Sequence, residues 1–195
     1  EIEISETHSD YNGYSVSCNG AEDGWIDITV TGGTGVYTYA WVTPNGFTSS
    51  EEDLDGIGAG VYILTVTDEN SEFNNDCLAS IEVEITEPEE MEITETYSDY
   101  NGYGVSCNGA TDGSIDVTVI GGSGSYIFTL YDEDFETQLD IENVIFENDP
   151  LENLPQVFYA FENLVAGQYF VFVQDLNSCS VEIEVEMTEP DSEMI

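Results

Sequence analysis

The sequence predicts an all-β protein made of two tandem immunoglobulin-like β-sandwiches stacked end to end, and three observations carry that prediction. Residues 7–35, THSDYNGYSVSCNGAEDGWIDITVTGGTG, return as residues 96–124, TYSDYNGYGVSCNGATDGSIDVTVIGGSG, with 22 of the 29 positions identical at an offset of 89. Self-similarity at a fixed offset is the mark of a tandem array. Val, Ile, Thr, Tyr and Phe recur in short runs broken by 18 glycines, which is strand and turn chemistry. No stretch of 11 or more residues carries a helical period. With 195 residues and 41% hydrophobic content, the chain is long enough for two cores of ordinary domain size, divided as 1–89 and 90–195.

Each element of the first unit follows from its pattern. EIEISET places Ile2 and Ile4 on one face and Glu1 and Glu3 on the other, a half-buried strand. SDYNGYSVSCNGAEDG is a turn-rich connector in which Asn12-Gly13 and Asn19-Gly20 accept positive φ. WIDITVT alternates again, with Ile26, Ile28 and Val30 on one side, until Gly32-Gly33-Thr34-Gly35 breaks it. VYTYAWV sets Tyr37, Tyr39 and Trp41 on one face, and Trp41 is the expected core anchor. After an acidic loop, VYILTVTD puts Tyr62, Leu64 and Val66 together. An acidic loop from Asp68 to Asp76 leads to the closing strand, LASIEVEITEP, with Ile81, Val83 and Ile85 inward. Turn signals 8 to 12 residues apart describe a sandwich without the Trp-between-Cys spacing of antibody domains.

The second unit retraces the first with no flexible linker between them. It departs once: the 25 residues from Gly35 to Gly60 become 43 from Gly124 to Gly167, an insertion of 18 around 132–157. The insertion is an added hairpin or an exposed recognition loop.

Charge excludes whole classes of function. There are 42 Asp plus Glu and no Lys or Arg, so the field of the molecule repels phosphate backbones and anionic headgroups. Nucleic acid and direct anionic-membrane binding are ruled out as partners. Without Lys no isopeptide crosslink or Schiff base can form, and without Lys or Arg trypsin has no site to cut. The one histidine, His8, is Tyr97 in the sister unit, so catalysis would have to come from carboxylate pairs that crowding alone produces. The sequence is read as non-enzymatic. Cations are what such a surface attracts, and Ca²⁺ takes carboxylate and carbonyl oxygens from flexible loops. The matched carboxylates are Asp23, Asp27 and Asp68 in the first unit and Asp112, Asp116 and Asp175 in the second. The bland alternative has Asp23 and Asp112 in turns before glycine, and Asp68 and Asp175 capping strand ends. Tyr11, Tyr14, Tyr100 and Tyr103 are the candidate sugar-stacking residues of a carbohydrate-binding module, or else pack the connector against its sandwich.

Four cysteines fall two per unit, Cys18 and Cys77, then Cys107 and Cys179. One disulfide in each unit is the simplest arithmetic, and it places the chain in an oxidising, extracellular setting.

The succession VSCNGAxDGxIDxTVxGGxG, YxYxW, AGxYxxxVxD, Cys and a strand ending in ITEP resembles the SprB repeat of gliding-motility adhesins. Here it is carried by residues 16–35, by Tyr37, Tyr39 and Trp41, by 59–68, Cys77 and 85–88, and again by 105–124, 166–175, Cys179 and 187–190. The second copy reads YIFTL in its third strand, with Leu130 where Trp41 stands. The resemblance implies a large, repetitive, non-catalytic cell-surface protein exported by type IX secretion and forming filaments. Its expected partners are neighbouring repeats, with surface glycans as the alternative, and a self-assembling filament subunit is a third expectation.

Overall fold

Fourteen strands and no helix make up the described part of a computed structural model, which covers residues 2–46, 48–69, 77–133, 138–144 and 157–191, with 138–144 described by backbone alone. The chain divides into two compact units, Glu1–Pro88 and Glu89–Ile195.

In the first unit, β1 (Ile2–His8), β2 (Gly24–Gly32) and β5 (Leu54–Ile57) form a three-stranded antiparallel sheet in the order β1-β2-β5. The second sheet runs β4-β3-β6-β7, from β4 (Thr48–Ser49), β3 (Tyr37–Val42), β6 (Gly60–Asp68) and β7 (Cys77–Ile85). This division, strands one, two and five against four, three, six and seven, is an immunoglobulin-like sandwich topology, all antiparallel and with the sequential hairpin β6-β7 at one edge. The alternation of the sequence sets which side chains point inward. Ile26, Ile28, Trp41, Tyr62, Leu64, Val66, Val83 and Ile85 meet between the sheets, joined by Val16 from the connector. The connector folds over the end of the sandwich and plugs it.

The second unit repeats the arrangement. Its three-stranded sheet is β8 (Glu89–Tyr97), β9 (Gly113–Gly122) and β12 (Val157–Leu164). Its four-stranded sheet is β11 (Gln138–Val144), β10 (Tyr126–Asp132), β13 (Gly167–Gln174) and β14 (Ser180–Met187). The insertion lengthens two strands that are short in the first unit. β5 pairs with β2 through three residues, Leu54, Asp55 and Ile57, whereas β12 pairs with β9 from Val157↔Val119 to Leu164↔Gly113. The insertion's flanking strands lie in different sheets, β11 beside β10 and β12 beside β9; residues 134–137 and 145–156, on which the choice between hairpin and recognition loop falls, lie outside the described residues, as does most of the acidic loop before Cys77.

The expected disulfides are corrected here. Cys77 and Cys107 are free and exposed, while Cys18 and Cys179 are disulfide-bonded, so neither Cys18–Cys77 nor Cys107–Cys179 is formed. Geometry forbids both. The amide of Val16 donates to the Thr86 carbonyl at 3.1 Å and Asn19 Nδ2 to the Pro88 carbonyl at 3.0 Å, which pins Cys18 at the end of β7, whereas Cys77 begins that strand. Nine residues of extended chain separate those ends by about 30 Å, and a disulfide needs Cα atoms within about 7 Å. The second unit has the same separation between Cys107, held near Thr188, and Cys179, which precedes β14.

Candidate functional site

The residues most faithfully repeated between the units build two latches at opposite ends of each sandwich. The first is the connector. Asn12 and Gly13, at φ of 55° and 95°, turn a tight hairpin of the type such residues favour, and the Gly13 amide donates to Asp10 Oδ1 at 2.7 Å. Tyr11 and Tyr14 bond each other through the backbone across this turn, and the Tyr11 hydroxyl donates to the Asp23 carbonyl at 3.1 Å. Ser9 Oγ donates to the Ser15 carbonyl at 2.6 Å and accepts from the Trp25 amide at 3.0 Å, tying connector to β2. Asp23 Oδ1 accepts from the Ser17 amide at 3.0 Å. Glu87 then reaches back from the unit's end to accept from the Gly20 amide at 2.7 Å.

These bonds recur in the second unit, where the Tyr100 amide bonds the Tyr103 carbonyl at 2.7 Å in place of the reciprocal pair. Gly102 bonds Asp99 at 2.6 Å, Tyr100 bonds the Asp112 carbonyl at 3.1 Å, and Ser98 bridges the Gly104 carbonyl at 2.6 Å and the Ser114 amide at 3.0 Å. The Ser106 amide bonds Asp112 at 3.0 Å and the Gly109 amide bonds Glu189 at 2.7 Å. The donors lower the pKa of both aspartates. For Asp23, burial pushes upward but the Ser17 hydroxyl and amide outweigh it; for Asp112, the Ser106 hydroxyl and amide dominate.

The second latch is a buried carboxylate. Asp68 closes β6 at 2% exposure and Asp175 follows β13 at 4%. Asp68 accepts from the Thr34 amide at 2.7 Å and from the Thr34 hydroxyl. Asp175 accepts from the amides of Ser123 at 2.8 Å, Asn177 at 2.9 Å and Cys179 at 2.9 Å. Glycine is required beside each: a Cβ on Gly33, at φ +58°, would lie 2.5 Å from Asp68 Oδ2, and one on Gly122, at φ +71°, 2.8 Å from Asp175 Oδ2. A buried carboxylate is tolerated because its oxygens receive N–H donors in place of water.

This geometry does not assemble the expected calcium triads. Asp23 precedes the start of β2 and Asp68 packs against Gly33 past its other end, about 30 Å away by strand length. Asp27 and Asp116 lie mid-strand between them. The second unit separates Asp112 from Asp175 in the same way. Among the described residues no group of three or more His, Cys, Asp or Glu side chains gathers to hold a metal. Position in the repeat made these carboxylates equivalent to one another without making them neighbours.

Of the four tyrosines, Tyr11, Tyr14 and Tyr103 are half-buried and Tyr100 is 38% exposed. Tyr14 lines a surface depression of about 430 Å³ with His8, Asp10 and Glu84, which leaves a ring beside carboxylates at the surface. His8 itself is paired to Glu6 at 2.9 Å. A second open groove, about 470 Å³, crosses the outer face of the β10-β13 sheet past Ile127, Thr129, Tyr131, Phe172 and Gln174. On the matching sheet of the first unit, Tyr39 donates to Glu52 Oε1 at 2.7 Å, and burial together with that carboxylate pushes its pKa up to about 12.

Sequence reasoning missed Ser9, Ser98, Glu87 and Glu189 as latch residues. Their signal was present, since all four lie in stretches that both units share.

The SprB repeat model matches residues 14–46 and 105–135, the span from the connector hairpin through the third strand in each unit. One match falls in each unit, and each is a likeness to the SprB repeat. SprB repeats are modules of the cell-surface adhesin type, and the disulfide agrees with an oxidising, extracellular setting. No curated protein matches the chain. Among solved structures, an amphioxus IgVJ-C2 molecule is 10% identical over 95% of this chain and 96% of that one, with a TM-score of 0.32; the fold assignment above rests on strand order instead.

Proposed function

We propose that the two SprB-like repeats act as a non-catalytic, acidic stalk segment of a large bacterial adhesin exported by type IX secretion, serving surface attachment or gliding. The observation that supports this reading is the fate of the repeated motif. Its Ser9, Asp10, Tyr11, Asp23 and Glu87 side chains, like Ser98, Asp99, Tyr100, Asp112 and Glu189 in the second unit, are occupied by bonds within their own sandwich, so repetition preserves a fold and not a cleft. Neighbouring repeats are the partners, and the charge of −42 keeps such stalks apart and soluble. Calcium enters as a counterion of that surface.

One observation favours a second reading, in which the module holds sugars: Tyr14 borders a depression with Asp10 and Glu84. Beads coated with the chain and applied to glycan arrays and bare glass separate the two. The stalk reading expects background binding throughout. Binding to a defined glycan that Tyr14→Ala abolishes overturns it in favour of a carbohydrate-binding module.

A further inference from the structure

Asn-Gly occurs five times, at 12–13, 19–20, 45–46, 101–102 and 108–109. Glycine sets no side chain beside its own nitrogen, so at this dipeptide the backbone nitrogen closes most readily onto the preceding side-chain amide, and an imide ring forms. Four of the five steps lie in the repeated connectors, and the fifth stands in the turn between β3 and β4. We propose that the carboxylates of the connector latch guard those four against ring closure, and that Asn45 is the Asn-Gly step at which the folded chain converts to aspartate and isoaspartate. Neither part rests on the stalk reading.

Closure needs the glycine amide to lose its proton and the peptide to turn until its nitrogen faces Cγ of the asparagine. Both are opposed at the connector steps. The Gly13, Gly20, Gly102 and Gly109 amides donate to the carboxylates of Asp10, Glu87, Asp99 and Glu189 at 2.6 to 2.7 Å. A nitrogen anion that close to a negative oxygen is disfavoured by like charge. At two of the steps the side-chain amide is held as well: Asn19 Nδ2 donates to the Pro88 carbonyl at 3.0 Å, and Asn108 Nδ2 to Glu189 Oε1 at 2.9 Å and the Pro190 carbonyl at 3.5 Å. Glu189 thus fixes both reacting groups of one step. Gly46 differs, because its amide donates at 2.9 Å to the uncharged carbonyl of Thr43 inside its own turn, and the Asn45 side chain is exposed. Rotating this peptide opens one turn and breaks no bond to a carboxylate. The matching stretch of the second unit, Asp132-Glu133-Asp134, has no Asn-Gly.

The conversion consumes water and releases ammonia, and nothing is oxidised or reduced. The Gly46 nitrogen gives its proton to solvent hydroxide and bonds to Asn45 Cγ, the bond from Cγ to Nδ2 breaks, and Nδ2 leaves as ammonia after taking a proton from water. Water then opens the imide. Breaking the new bond at Cγ gives aspartate, and breaking the bond at the main-chain carbonyl gives isoaspartate, whose chain runs through Cβ. Either product adds a carboxylate to the β3–β4 turn. Isoaspartate also lengthens the backbone beside Pro44, whose ring lies where a Cβ on Gly60 would fall.

Incubation of the folded chain in mildly alkaline buffer, followed by digestion with a chymotrypsin-like protease and peptide mass spectrometry, reads all five steps at once through the mass gained when NH2 is exchanged for OH. Conversion at Asn45 should be about tenfold or more faster than at the other four, since each of those must first give up a hydrogen bond to a charged group. In urea the five rates should converge. A lead for Asn45 that persists undiminished in urea belongs to its sequence neighbours and overturns the proposal, as does folded-state conversion at Asn45 no faster than at the guarded steps. Glu87→Gln keeps an acceptor and removes the charge, so it should speed Asn19 several-fold while Asn12, in the same unit, and Asn108 keep their parent rates. Slower conversion at Asn19 would make Glu87 a base for the closure, and an unchanged rate would leave it no part in the chemistry; either overturns the guard. Equal acceleration of Asn12 and Asn19 overturns it too, by reducing Glu87 to a residue that holds the fold.

Discussion

Trp41 in the first repeat and Leu130 in the second occupy the same place in the third strand, and both are buried to within 1%. Unit 1 fills its centre with one indole, whose Nε1 donates to the Glu51 carbonyl at 3.0 Å. Unit 2 divides the volume among Leu130, Phe128 and Phe161, with Tyr159 stacked on Phe128 at 5.4 Å and edge-on to Phe161 at 4.9 Å. Phe161 and Tyr159 come from β12, the strand that the insertion lengthens. The difference teaches which part of this repeat is free to vary. Core volume can be moved from one strand to another while the latches at the two ends stay the same, as expected where total volume and pattern matter more than any one side chain.

The largest effects should come from breaking this trade. Trp41→Ala is expected to destabilise unit 1 by about 3–5 kcal/mol, and Phe161→Ala to destabilise unit 2 by a similar amount. Each should move one of two urea transitions, recorded in reducing buffer, and leave the other in place. Trp41→Leu copies the second repeat's residue without its Phe161, and about 2 kcal/mol should be lost to the cavity. A Trp41→Leu protein as stable as the parent would break the comparison, since Leu130 would then need no compensation.

The latches should be nearly blind to which repeat they are in. Asp68→Asn and Asp175→Asn each replace an acceptor by a donor against buried N–H groups, at about 1–3 kcal/mol. Gly33→Ala and Gly122→Ala force a Cβ onto those carboxylates at positive φ and should cost about as much. A thermal melt in which one repeat's variants are harmless and the other's damaging would show that the ends, too, are free to vary.

Much of this was legible in the sequence. Period-two alternation gave the inward faces of β1, β2, β3, β6 and β7, and the size and position of Trp41 gave its burial. The two-residue β4 and the acidic, glycine-containing β5 lacked any pattern to read. The cysteine pairing went wrong because two cysteines per repeat is a statement about sequence, whereas a bond depends on distance along a strand. The calcium triads failed likewise: recurrence shows that Asp23 matches Asp112, not that Asp23 lies near Asp68. The turn role weighed for Asp23 and Asp112 was the better reading, because an aspartate six residues after Ser17 can close a loop on its amide.

Acid sharpens that point at a smaller scale. The Asp23 and Asp112 pKa values are lowered from 3.8 in the folded protein, so the unfolded chain binds the proton first. Their contribution is fully present above about pH 4 and is lost as pH falls through the lower folded values. Asp23→Asn and Asp112→Asn should therefore flatten the fall of stability as pH drops below about 4, each in its own repeat. Asn variants whose acid profile still superimposes on the parent's would remove these two carboxylates from the latch.

The smallest expected difference is the response to calcium. With 42 carboxylates and no Lys or Arg, like charges within a Debye length of about 8 Å repel one another, and any cation raises stability by screening them. A dedicated site would add to this a saturable step specific to its ligands. Asp23 and Asp68 lie at opposite ends of β2, and Asp112 and Asp175 at opposite ends of β9, so no one ion can be held by both members of either pair. Melting temperature should therefore rise smoothly with CaCl₂ without a plateau at a small integer stoichiometry. Asp27→Asn and Asp116→Asn, which disturb neither latch, should leave the slope of that rise unchanged in both repeats. Calorimetric titration showing a plateau near one Ca²⁺ per repeat, lost on Asp27→Asn in the first unit and on Asp116→Asn in the second, would restore these aspartates as metal ligands with partners other than the ones their repeat positions suggested.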